Sequence, residues 1–149
     1  MGTGGDLVPG TSALAQLFLV EPGAESVGRA VAQAAAVATH LVAYAEMRAT
    51  FARAVRTGRV DGAVLPALIN EFERRWVSLE VLAVTEPLVR CAGDLAERHG
   101  LRGYDSVHLA AVFALRELVR SGAEVRSGVF DTKLRHAALV HGLSLLSAA

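Results

Sequence analysis

Three acidic side chains in this 149-residue chain have the type and placement that chemistry needs, and the first is Asp105. It lies in residues 101–111, where Gly103 permits a sharp turn and an apolar helical segment follows. The unpaired N–H groups and the dipole of a helix favour a carboxylate in its first turn. On spacing alone, Asp105 either only stabilises the start of this helix or belongs to a functional site.

Two further acids, Glu46 and Asp131, strengthen the second alternative. Asp131 directly follows the apolar segment that ends at Phe130, where its plain role is to cap the next helix. Glu46 follows Val42 to Ala45, an apolar setting in which an idle carboxylate is costly to bury. Its plain alternative is a solvated position on a helix.

Acids placed after the strands of an open α/β sheet collect at the carboxyl ends of those strands, where ligands bind. Mg²⁺ and Mn²⁺ prefer carboxylate and water oxygens, and the sequence has no cluster of cysteine and histidine of the kind that zinc needs. Glu46, Asp105 and Asp131 are therefore candidates for one divalent-metal site.

The segments that must position these acids alternate between strand and helix patterns. Strands are predicted over residues 35–39, 80–85, 125–130 and 143–146, and residues 6–10 form a weak strand at best. Helices are predicted over residues 13–20, 24–33, 41–56, 60–78, 87–99, 103–120 and 132–141. This alternation predicts one α/β domain over residues 1–149, with a mostly parallel sheet covered by helices on both faces. Residues 1–5 are rich in glycine and are expected to be a flexible lead-in.

Two of these helices carry apolar rows that predict buried faces. In the helix over residues 60–78 the row is Leu65, Leu68, Phe72 and Trp76. In the helix over residues 41–56 it is Leu41, Ala45, Ala49, Ala52 and Val55. Cys91 is expected to be a small buried side chain.

Composition limits the classes of protein that fit. Hydrophobic residues make up 52% of the chain and charged residues 20%, which excludes a disordered chain. Fifteen basic and fifteen acidic residues cancel, so strong overall basicity of the kind that binds nucleic acid is absent, although a local patch is not excluded. A single cysteine, no signal-peptide pattern and no apolar run long enough to span a bilayer predict a cytoplasmic protein with no membrane partner.

Five segments, in order along nearly the whole chain, resemble PIN-domain nucleases, and within them the VapC-type toxins of bacterial toxin–antitoxin pairs. The most specific is Gly103-Tyr104-Asp105-Ser106-Val107-His108-Leu109-Ala110. The others are Thr11-Ser12-Ala13-Leu14, Glu21-Pro22-Gly23-Ala24-Glu25, Tyr44-Ala45-Glu46 and Phe130-Asp131-Thr132-Lys133-Leu134.

The resemblance implies a three-layer α/β/α domain with a central sheet of four or five strands, and four acids around Mg²⁺ or Mn²⁺. It also implies a ribonuclease that cleaves RNA, a homodimer, and a cognate VapB-like antitoxin as partner. Carried over, Glu46, Asp105 and Asp131 are catalytic metal ligands. Thr11 or Ser12 would orient an acid or a phosphate, and Arg102, beside the site, is a candidate RNA contact.

One position departs from the family pattern. Family members carry an aspartate immediately before the Thr-Ser-Ala-Leu stretch, where this chain has Gly10. Asp6 is no substitute, since four residues along a strand span roughly 13 Å, well beyond the reach of a metal ligand. Pro9 is also unexpected, because the first strand of the family is central and proline cannot donate to a sheet ladder. The expected product is a weakened or inactive ribonuclease, and the alternative is a catalytically dead protein that sequesters an antitoxin or RNA.

Overall fold

Within the described part of the chain, five parallel strands form the middle of the protein, in groups of three and two that one bridge connects. The structure is a computed structural model. It describes residues 6–10, 14–15, 18–19, 24–34, 36–118, 125–128, 132–142 and 144–145. The strands are β1 (Asp6–Pro9), β2 (Ala38–His40), β3 (Glu80–Leu82), β4 (Val125–Gly128) and β5 (Ser144–Leu145). The helices are α1 (Ala24–Gln33), α2 (Val42–Arg56), α3 (Leu65–Trp76), α4 (Glu86–His99), α5 (Gly103–Leu118) and α6 (Thr132–Val140), and a short 3₁₀ helix (Gly62–Val64) precedes α3.

The strand order is β3-β2-β1-β4-β5. Strand β4 lies between β1 and β5, β2 pairs with β3, and all three pairings are parallel. A parallel bridge between Leu7 and Val37 joins the two groups of strands. The predicted fold class, a mostly parallel sheet of four or five strands, is confirmed.

Strand β1 is the centre of the sheet, and the prediction of a weak strand there underestimated it. Leu7 and Val8 are fully buried, because neighbouring strands and helices cover both faces of this short apolar segment. Pro9 is the last residue of β1 and lies opposite Gly128. At the end of a strand, a proline removes only the final donor of the ladder, which explains how a central strand contains it.

Helices cover both faces of the sheet. One hydrophobic cluster packs Val8 and Ala38 of the strands against α4, α5 and α6, with Leu109 among its fully buried residues. On the other face Leu7 packs against Val31 of α1 and Ala34. These contacts make the three layers.

A second hydrophobic cluster joins α2 to α3. Phe51 and Phe72 are its largest fully buried residues, and their rings meet edge to face with centroids 5.6 Å apart. The predicted row on α3 is confirmed, since Leu65, Leu68, Phe72 and Trp76 all belong to this cluster.

Two predictions about buried side chains are wrong. The buried face of α2 consists of Ala43, Met47, Phe51 and Ala54. In the predicted row, Leu41, Ala45 and Ala49 are exposed, and Ala52 and Val55 are only partly buried. Burying Met47 and Phe51 removes far more apolar area from water than burying alanines does. Cys91 is exposed, because α4 buries Leu88, Ala92 and Leu95 on its opposite side.

Among the helices that the structure describes, none has the length and apolar character that crossing a bilayer requires.

Candidate functional site

The parallel sheet brings three chain segments to one edge. Strands β1, β2 and β4 all run in the same direction, so the residues that follow them emerge at the carboxyl edge of the sheet. Gly10 follows β1, α2 with Glu46 follows β2, and α6 follows β4. The topology therefore fulfils the expectation that these segments share one edge.

Asp105 reaches this edge through α5. His108, one turn after Asp105, packs against His40, the last residue of β2, with ring centroids 5.9 Å apart. Because one helical turn separates residues three or four apart, this contact lays the first turns of α5 beside the carboxyl end of β2. Glu46 and Asp105 thus belong to neighbouring elements at the same edge.

Glu46 lies in the second turn of α2, as predicted. The residue is partly buried, and its Oε1 atom is shielded from solvent. The main-chain oxygen of Glu46 accepts a hydrogen bond of 2.8 Å from the Thr50 hydroxyl. The carboxylate is thus not the fully solvated group of the plain alternative.

Asp105 lies in the first turn of α5 and is held by an arginine. The Arg102 Nε donates a hydrogen bond of 2.9 Å to Asp105 Oδ2. The Asp105 side chain is 23% exposed, whereas that of Arg102 is 82% exposed. The Ser106 hydroxyl donates to the Gly103 main-chain oxygen at 2.6 Å and fixes the same turn. Arg102 is beside the candidate site, as predicted, and its described contact is with the acid.

Several predicted site residues lie outside the described part of the chain. Thr11, Ser12 and Asp131 are among them, and their predicted roles stay predictions. Gly10 is described: it is buried, and its carbonyl accepts a hydrogen bond of 2.9 Å from the Leu14 N–H.

The described donors suit a hard divalent cation. Glu46 and Asp105 offer carboxylate oxygens, and Mg²⁺ is commonly bound by one or two carboxylates together with water and substrate phosphate. Within the described residues, no group of three acidic, histidine or cysteine side chains is placed to hold a metal ion. A metal ion held by Glu46 and Asp105 would need further ligands from outside the described residues or from water.

Two buried histidines, His40 and His108, lie beside the candidate acids. Both rings are buried, with 1% of His40 and 5% of His108 exposed. Burial lowers the pKa of His40. Burial first, and then the charge of His40, lowers the pKa of His108 to about 3. Asp105 is held by Arg102, so the structure supports a packed structural role for His108. A polar residue at the end of an apolar strand was the signal for His40.

A polar network flanks the site on the α2–α3 side. The Tyr44 hydroxyl donates to Glu73 Oε1, and Arg48 Nη1 donates to the Tyr44 oxygen at 2.9 Å. The Tyr44 ring packs against Trp76 with centroids 5.3 Å apart. This network fixes the turn of α2 that carries Glu46.

The sequence is similar to proteins that are named VapC ribonucleases. No family model matches the sequence. Ribonuclease VapC45 of Mycobacterium tuberculosis (strain CDC 1551 / Oshkosh) is 31% identical over 104 residues, which cover 70% of this chain and 72% of that protein. Ribonuclease VapC49 of Mycobacterium tuberculosis (strain ATCC 25618 / H37Rv) matches with the same identity and coverage.

Several solved structures have a fold similar to that of this chain. The crystal structure of FitAcB from Neisseria gonorrhoeae aligns with a TM-score of 0.69 at 16% identity, covering 95% of this chain and 96% of that chain. VapBC2 from Rickettsia felis, bound to a DNA fragment from its promoter, aligns with a TM-score of 0.65 at 14% identity, covering 94% and 96%. A toxin–antitoxin complex from Klebsiella pneumoniae aligns with a TM-score of 0.57 at 14% identity, covering 80% and 83%. At these identities the likeness concerns the fold.

Proposed function

The chain belongs to the VapC-type family of PIN-domain ribonuclease toxins, and from this membership we propose that it is an Mg²⁺- or Mn²⁺-dependent endoribonuclease weakened by Gly10. The observation that carries the proposal is the meeting of Gly10, the Glu46 helix and the Asp105 helix at one edge of the sheet. Those are the positions at which the family motif places acids.

Glu46, Asp105 and Asp131 would hold the metal. When bound, a divalent ion lowers the pKa of a coordinated water and stabilises charge on the phosphoryl group under attack. Residues of the chain would orient the acids and contact the RNA phosphate. The carboxylate of Asp105 is oriented by Arg102, and the exposed guanidinium can turn from the acid to an RNA phosphate. Thr11 or Ser12 would orient an acid or a phosphate through its hydroxyl.

Gly10 explains the proposed loss of activity. A glycine at the end of β1 offers no carboxylate, so one of four negative ligands is missing. Even groups that only support the ligands of a metal site change its affinity or activity by about 10- to 100-fold. A weak site filled out by water is the expected result.

A second function is favoured by the same glycine. A protein that keeps the fold but lacks a ligand can act by binding alone, sequestering an antitoxin or RNA. The structural neighbours include toxin–antitoxin complexes, and we propose a VapB-like antitoxin as the partner of this chain in either case. We also propose a cytoplasmic homodimer in which residues 1–149 form a single domain.

RNA cleavage by the chain and by Gly10→Asp tests the enzyme proposal. We expect Gly10→Asp to cleave single-stranded RNA in Mn²⁺ at least about tenfold faster than the unchanged chain, by the magnitude typical for metal-site groups. Asp105→Asn in the Gly10→Asp background should abolish the gain.

Gly10→Asn is the matched control, because it adds nearly the same volume without the charge. The enzyme proposal fails if Asn raises cleavage as much as Asp, or if Gly10→Asp is inert. Inertness together with antitoxin binding that survives Asp105→Asn would leave the binding protein as the better account.

A further inference from the structure

Two histidines meet in the interior beneath the candidate site. His40 ends β2, and His108 lies on α5 one turn after Asp105. Their ring centroids are 5.9 Å apart, with the ring planes tilted by 58°. Both side chains are more than nine-tenths buried. The contact is therefore a polar joint in the buried layer between β2 and α5.

One ring nitrogen on each histidine has no hydrogen-bond partner among the residues that the structure describes. These are Nδ1 of His40 and Nε2 of His108, and both are shielded from solvent. A buried nitrogen without a partner destabilises a fold, and native proteins commonly satisfy such groups with an ordered water that makes two to four hydrogen bonds. A neutral imidazole has one donor and one acceptor nitrogen, so a water can serve two such rings at once.

The joint between His40 and His108 connects two elements that each lead to a candidate acid. The chain continues from His40 through Leu41 directly into α2 with Glu46, and the turn before His108 carries Asp105. A change in the separation of the two rings therefore moves the two acids relative to each other.

We propose that His40 and His108 are positioning residues, joined by one ordered water between their buried nitrogens, that set the separation of Glu46 and Asp105. This inference rests on the proposed function, because it assumes that the two acids bind a metal ion. It assigns the pair no contact with substrate or metal.

A crystal structure of the full chain tests the joint without any metal. The expected result is a water within about 3.2 Å of both nitrogens, the usual limit for a hydrogen bond to nitrogen. Direct protein partners for both nitrogens, with no water between the rings, would overturn the proposed link.

A double-mutant cycle tests the coupling in solution. His40→Leu and His108→Leu should each lower the Tm, since each leaves the other ring unsatisfied. The double variant should lose less than the two single losses added together. Strictly additive losses would overturn the pairing.

Mn²⁺ affinity tests the positioning role, measured by EPR titration in the Gly10→Asp background. Loss of a group that supports metal ligands costs about 10- to 100-fold in affinity, and we expect His40→Leu and His108→Leu to fall in that range. His108→Gln, which keeps a polar group, should recover most of the loss. His141→Leu is the control, because it disrupts a different histidine pair, in which Nε2 of His99 and of His141 are 2.8 Å apart.

A lower Tm with unchanged Mn²⁺ affinity in His40→Leu and His108→Leu would overturn the positioning role. If Gly10→Asp itself fails to bind Mn²⁺, the proposed metal site fails and the positioning role fails with it. The crystal structure and the double-mutant cycle then still decide whether the two rings are joined, so the two failures are distinguishable.

Discussion

At the scale of single residues, burial determines which protonation states the fold accepts. The His108 side chain is only 5% exposed, so its neutral form fits the interior and its cation does not. The pKa of His108 is lowered to about 3 from the ordinary value of 6.5. Folding therefore competes with protonation of this ring.

We expect the free energy of unfolding to fall as the pH drops from 6.5 towards 3. The unfolded chain binds a proton at His108 below its ordinary pKa, whereas the folded chain does not until about pH 3. Stability from this group is thus complete above pH 6.5, and a shift of this size corresponds to at most about 5 kcal/mol. Urea unfolding between pH 8 and pH 4 measures the slope.

His108→Gln should flatten that slope, because glutamine does not titrate. His136→Gln is the matched control on the exposed surface of α6 and should keep the slope of the unchanged chain. An identical slope in His108→Gln and the unchanged chain would contradict the assignment.

Sequence alone predicted the helices that carry Glu46 and Asp105 better than the contacts around them. Glu46 and Asp105 stand at the predicted turns of their helices, since capping and apolar spacing are local signals. The contact between His40 and His108 joins residues that are far apart in the chain, so no local pattern announces it. The pairing of Asp105 with Arg102 was only partly visible, as a basic residue three positions before an acid.

At the scale of elements, α4 illustrates how local signals fix both ends of a helix. Thr85 caps its start through a hydrogen bond of 3.4 Å from the Leu88 N–H, and Gly100 ends it with φ at 63°. Both ends were predicted to within a residue or so. Strand β1 was underestimated for the opposite reason, because its stability comes from strands and helices that lie elsewhere in the sequence.

We expect Gly100→Ala and Gly93→Ala to change stability in opposite directions. Gly100 has a left-handed conformation, in which an alanine costs about 1–2 kcal/mol. Gly93 lies inside α4 with open space around its Cα, so alanine there should stabilise by about 0.5–1 kcal/mol. Thermal unfolding of the two variants measures both signs; a gain in Gly100→Ala would contradict the left-handed end of α4, and a loss in Gly93→Ala would contradict the open helical position of Gly93.

At the scale of the whole molecule, the two larger hydrophobic clusters of the described residues are separate from each other. Trp76 lies in the α2–α3 cluster, whereas Leu109 lies in the cluster beneath α4, α5 and α6. Trp76 is the only tryptophan, so its fluorescence reports on the first cluster alone. Far-UV circular dichroism reports on all the helices.

We expect a single cooperative transition, with fluorescence and circular dichroism giving the same midpoint. Leu109→Ala should destabilise by about 2–5 kcal/mol and shift the fluorescence midpoint of the distant Trp76 by as much as the dichroism midpoint. Separate midpoints would divide the chain into two folding units.

Leu118→Ala is the control for that experiment, because this leucine is 73% exposed. Substitution at such an exposed position should stay within about 0.5 kcal/mol. An equal loss in the two leucine variants would mean that the described burial of Leu109 does not decide stability.

The hydrogen bond from Arg102 to Asp105 places a positive guanidinium group beside a carboxylate of the candidate site. A metal ion entering the proposed site would compete with the Arg102 guanidinium for the Asp105 carboxylate. The free energy of metal binding would then be the difference between these two attractions. The protein is thereby spared the mutual repulsion of bare carboxylates when metal is scarce, and chelation should leave its folding intact. Under the proposed metal dependence, removal of the ion would stop RNA cleavage and leave the fold intact.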